Sequence, residues 1–126
     1  MRWVRFGLVV VLAIELAVWE AFLVPARPFG WPLPVAAALA VVGNLALGTA
    51  GARSLGSRWG AAIPGIVWLV VALTFGSGRS EGDRIVPDTV RGLAFLLLGT
   101  LAAAGVAGAA GAKPAPRATP DGPARR

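Results

Sequence analysis

The sequence predicts an all-α membrane protein of four transmembrane helices in an up-down bundle. Hydrophobic residues make up 56% of the 126 and charged ones only 14%, and the mean hydropathy is +0.72. The apolar residues also gather into four long runs instead of scattering. A hydrocarbon core of about 30 Å takes roughly 20 helical residues to cross. Val4–Val24, Leu33–Gly51, Gly60–Gly76 and Val90–Gly111 are the expected spans, the third completed by Trp59 at the interface. Spanning strands are excluded, because the runs lack apolar-polar alternation and four strands close no barrel.

In chain order, Arg2 and Arg5 give the chain a basic start in the manner of a secretory leader. That run is too long, carries two glutamates and is followed by no small-x-small cleavage site, so it is expected to be retained. Pro25, Pro28, Pro32 and Pro34 then stop one helix and start the next. Arg53–Arg58 reads as a Ser/Gly turn, and 76–89 as the longest loop, with Asp88 placed to cap the fourth helix. Residues 1–111 are thus expected to form one transmembrane domain. Residues 112–126, where no apolar side chain exceeds alanine, are expected to be a disordered tail.

Charge orients the chain. Arg2, Arg5, Arg53, Arg58 and four basic residues in the tail lie on one side, against Arg27, Arg79, Arg84 and Arg91 on the other. The positive-inside rule then puts both termini in the cytoplasm of a bacterial inner membrane. Trp3 and Trp59 fall at the cytoplasmic boundary and Trp31 at the outer one, where amphipathic rings settle. The net charge of +6 invites a nucleic-acid partner. Its placement, singly or in pairs at the edges of apolar runs, argues instead for the lipid bilayer, alone or with a homo-oligomer or larger membrane complex.

The chain contains no Cys, no His and no Tyr. Thiolate metal sites, covalent haem attachment, a histidine general base and Ser-His or Cys-His nucleophiles are therefore excluded, and no metal, cofactor or catalytic residue is expected. The Gly-rich stretch 76–84 lacks the Gly-Lys-Ser/Thr ending of a phosphate loop. Glu81 and Asp83 within it sit among arginines, which oppose a calcium site and favour a solvated, salt-bridged loop.

What remains are polar residues inside the spans. Glu15 lies near the middle of the first, where an ionised carboxylate costs about 3 kcal/mol. Thirteen Val, Leu, Ile and Phe residues in that span keep insertion favourable. Glu20, the second membrane carboxylate, is about 140° away around the helix and shares a side with Ala13, Ala17 and Ala21, a close-packing stripe. Glu15 falls with Leu8, Leu12 and Trp19 on the bulky side. Asn44, Trp68 and Thr100 are central in the other three spans. Counting from each boundary sets Glu15, Asn44, Trp68 and Thr100 at one depth to within about 5 Å. The expectation is a midplane polar layer in which Glu15 bonds Asn44 or the Trp68 indole, set against purely local satisfaction of each group.

Gly60-Ala-Ala-Ile-Pro64, Trp68, Glu81-Gly-Asp83 and a Gly- and Ala-rich last helix resemble a family of small four-span actinobacterial membrane proteins of unknown function. Eleven arginines against one lysine suit a GC-rich genome of that kind. That resemblance implies no activity. The chain is also similar in length and span number to the small multidrug exporters, which use a membrane-embedded glutamate in the first helix. Glu15 and Trp68 occupy analogous places, although the first loop is proline-rich, tyrosine is absent and the arginine bias implies one orientation. The expected function is a non-enzymatic accessory or structural membrane component, and the alternative is a proton-coupled small-molecule exporter using Glu15.

Overall fold

The computed structural model describes residues 1–26, 34–78, 82, 85–86 and 89–112. These form four helices, α1 (Arg2–Leu23), α2 (Val35–Leu55), α3 (Arg58–Gly76) and α4 (Val90–Gly111), and no strand. Each is long and apolar enough to cross a membrane. The expected disordered tail lies outside the described residues beyond Ala112, as do Trp31 and the loop residues Glu81, Asp83 and Asp88.

The turn expected over Arg53–Arg58 contracts to Gly56 and Ser57. Arg53 and Ser54 stay helical because the Ser54 hydroxyl donates back to the Ala50 carbonyl at 2.8 Å, satisfying itself within α2. Gly56 then ends the helix at φ 64°, a left-handed conformation natural to glycine, with its N–H donating to Ala52 at 2.7 Å. Ser57 begins α3 by accepting from the Gly60 N–H at 3.3 Å. At α4 the cap is Thr89, whose hydroxyl accepts from the Gly92 N–H at 3.3 Å, and not Asp88. The Val86 N–H donates to the Phe75 carbonyl at 3.2 Å, fastening Val86 to the end of α3.

α3 runs antiparallel to α2 and to α4. Gly51 meets Gly60 while Asn44 approaches Gly65, and Trp68 meets Gly99 while Gly65 meets Ala103. α1 rests on α2 and α3, as does α4, and the Arg91 side chain at the start of α4 donates to the Ala26 carbonyl just beyond α1 at 3.4 Å. The interior is built from small residues: Ala13, Ala17 and Ala21 of α1, Ala40 of α2 and Ala72 of α3 are fully buried around Trp68 and Phe95. Leu8, Val42, Val70 and Leu97 point outward. Small residues inside and large aliphatic ones outside is the arrangement for helices that associate by close approach and face lipid.

The closest approach is backbone on backbone. Pro64 has no N–H to give the carbonyl of Gly60 four residues earlier, so α3 leaves that oxygen without its usual helical donor. A Cβ on Gly51 would fall against that oxygen, and one on Gly60 would fall against the carbonyl oxygen of Gly51. Two glycines are required there, because a Cβ on either would strike the other's peptide. Gly51→Ala is therefore expected to destabilise the bundle by about 1–3 kcal/mol. Gly7→Ala, which meets open space, is expected to be neutral or slightly stabilising. Unfolding in mixed micelles followed by tryptophan fluorescence measures both.

Candidate functional site

The polar residues expected at one depth do not gather into a layer. Asn44 is buried on the α2 stripe, but its amide donates to the Ala40 carbonyl one turn back, at 2.9 Å. The Thr100 hydroxyl likewise donates to Leu96 at 2.6 Å. Both groups satisfy themselves on their own helices, the outcome open to any side chain whose reach includes the carbonyl at i−4.

Trp68 does pair with a membrane carboxyl, but with Glu20 instead of Glu15. Its indole N–H donates to Glu20 Oε2 at 2.7 Å, joining α1 to α3 across the interior. Azimuth decides the choice. Glu20 shares the face of Ala13, Ala17 and Ala21, all fully buried, whereas Glu15 lies on the opposite, exposed face. The indole is long enough to bridge the difference in depth, but no rotamer carries Glu15 through its own helix.

The pair is tightly held. Phe95 meets the Trp68 ring edge-on with centroids 5.2 Å apart. The far edge of the indole lies over Gly99, where a side chain would displace it. On the α1 side, Glu20 Oε1 is wholly buried and has no hydrogen-bond partner among the described residues. It lies 3.1 Å from where a Cβ on Gly43 would stand, and the tip of Leu16 occupies the rest of that space. Gly43 and Gly99 are thus the two positions that admit the pair. Neither stood out in the sequence, where Gly43 adjoins Asn44 and Gly99 adjoins Thr100 just off the stripes.

Glu15 lines an open cleft of about 340 Å³ between α1 and α2, with Leu12, Leu16 and Trp19 on one wall and Gly43, Ala46 and Leu47 on the other. Leu16 and Gly43 separate this cleft from Glu20. The two carboxyls therefore serve different surroundings, one closed inside the bundle and one on its exterior. Among the described residues no three Asp or Glu side chains converge as metal ligands. At the end of the bundle formed by the starts of α1 and α3, Arg2 lies 5.5 Å from the ring of Trp3 and Arg58 5.4 Å from that of Trp59. Each is a guanidinium within cation–π reach of the neighbouring indole.

The profile of the family of unknown function DUF6113 matches residues 2–123, and the chain belongs to that family. Searches of curated proteins and of solved structures found no match.

If the indole bond ties α1 to α3, Glu20→Ala leaves the Trp68 N–H unsatisfied beside a cavity and is expected to cost about 2–4 kcal/mol. Glu20→Gln keeps an acceptor and is expected to cost less than about 1 kcal/mol. A double-mutant cycle of Glu20→Ala with Trp68→Phe, read by reversible unfolding, should return a coupling of about 0.5–2 kcal/mol.

Proposed function

We propose that this protein is a non-enzymatic integral component of a bacterial cytoplasmic membrane that acts by assembling with other transmembrane segments. One observation carries the proposal: the interior hydrogen-bonding groups of Asn44, Trp68 and Thr100 are engaged by their own helices or by Glu20, while Glu15 is left on the outside. An interior stitched in this way serves packing: Glu20 Oε1, unpartnered among the described residues, is closed in beside Leu16 and Gly43, and the carboxyl open to something else, that of Glu15, faces outward.

The proposal includes an up-down bundle with both termini cytoplasmic. The excess of arginine and lysine on the side of Arg2, Arg5, Arg53 and Arg58 supports that orientation, as do the Arg–Trp pairs at the starts of α1 and α3. The arginine-rich, Ala- and Gly-rich composition supports an actinobacterial source.

One observation favours a second function, proton-coupled export of lipophilic cations. Glu15 lines a cleft large enough for a small molecule, with walls that are otherwise apolar. The two are separated by copurification from native membranes and by Glu15→Gln. An assembly component is expected to come out with a stoichiometric partner, a second copy included, and to keep or gain stability in the variant. An exporter is expected to bind a lipophilic cation in a pH-dependent way and to lose that dependence in Glu15→Gln while remaining folded.

A further inference from the structure

The surface that would dock is the exposed side of α1 with the cleft beside it, and its chemistry narrows what fits. Glu15 and Trp19 are both exposed there, Trp19 by 67%. Four residues apart, they lie on one helix face about 6 Å apart along the axis. Neither makes a hydrogen bond among the described residues. In hydrocarbon a carboxyl and an indole N–H each need a partner, since no water is present to supply one.

Resting on the proposed assembly role, we infer that the partner is a second copy of this chain, docked through α1 so that Glu15 of each copy accepts from the indole of Trp19 of the other. The face is its own complement. It carries one acceptor and one donor a helical turn apart. A two-fold axis along the membrane normal sets equivalent residues at one depth, so each Trp19 indole reaches about 6 Å back toward the amino-terminal end of the facing helix, the direction in which helical side chains lean, and the bond is made twice. Copies inserted in one orientation, as the arginine bias requires, are related by such an axis. The same chemistry already holds the interior, where the Trp68 indole donates to Glu20 at 2.7 Å. On the α2 side the cleft is lined by Gly43, Ala46 and Leu47, and its volume of about 340 Å³ leaves room for the entering indole. A lipid chain would fill the apolar walls but satisfy neither polar group. A foreign helix would have to bring both a donor and an acceptor at the right depths.

The chain has no cysteine, so single-cysteine variants of the full-length protein report contacts directly. Leu12→Cys, on the cleft wall, is expected to cross-link into dimers in lipid bilayers, whereas Leu101→Cys on the exposed face of α4 is not. Dilution in lipid should show dimerisation weakened roughly three- to tenfold by Glu15→Leu and by Trp19→Phe, with the double variant no weaker than the worse single one. Glu15→Gln, which still accepts, should dimerise within about twofold of wild type. Glu15→Leu removes a carboxyl from lipid and leaves the interior untouched, so retained helical circular dichroism checks that it folds. A wild-type monomer, equal cross-linking at Leu101→Cys, or additive or absent effects of the two substitutions would overturn the inference. Cross-linking of Leu12→Cys to a different protein in native membranes would also overturn it while leaving the assembly role standing. The absence of both a dimer and any copurifying partner would overturn both.

Discussion

Everything inside this bundle is arranged around one hydrogen bond, from the Trp68 indole to Glu20. A large aromatic ring and a carboxyl at the centre of four closely packed helices demand room from all of them. α1 supplies an alanine stripe, α2 supplies Gly43 beside the carboxyl, and α4 supplies Gly99 beneath the indole and Phe95 against its side. Once these small residues are placed, the backbones come close enough for dispersion to hold the remainder. That is how helices associate where the hydrophobic effect no longer distinguishes one apolar surface from another.

The Gly51–Gly60 crossing applies the same constraint to the backbone. Pro64 interrupts α3 without ending it, and the carbonyl it strands lies against the neighbouring helix at a point where both partners are glycine. With Gly56 and Ser57 as the whole connection, α2 and α3 form a hairpin whose tightness is set from both ends. α1 and α4 then each settle against both helices of it.

Much of this was legible in the residues. The four helices, the stripes at a spacing of four and the opposite faces of Glu15 and Glu20 all follow from 1.5 Å and 100° per residue applied to the sequence. The error lay in how those two coordinates were weighed. Depth along the membrane brought Glu15 level with Asn44, Trp68 and Thr100, but direction around the helix governs which side chains can meet. The alanine stripe of α1 already pointed Glu20, and not Glu15, at the interior. Asn44 and Thr100 show a second effect. A polar side chain one turn above a carbonyl bonds it at no cost in helix geometry, so equal depth is no reason for polar residues to seek one another.

By itself the sequence determined that the chain is helical, that it has four stretches long and apolar enough for a membrane, and which face of each helix carries small residues. Those properties are local, fixed by composition and period. Only the tertiary structure decided which polar groups are paired and which are left outward. That choice depends on the separation and rotation of helices distant in sequence: Trp68 reaches Glu20 across 48 residues, and Gly43 and Gly99 open the space for them to do so. A one-dimensional period records where each side chain points. It does not record how near the facing helix comes, because that distance is set jointly by the glycines on both.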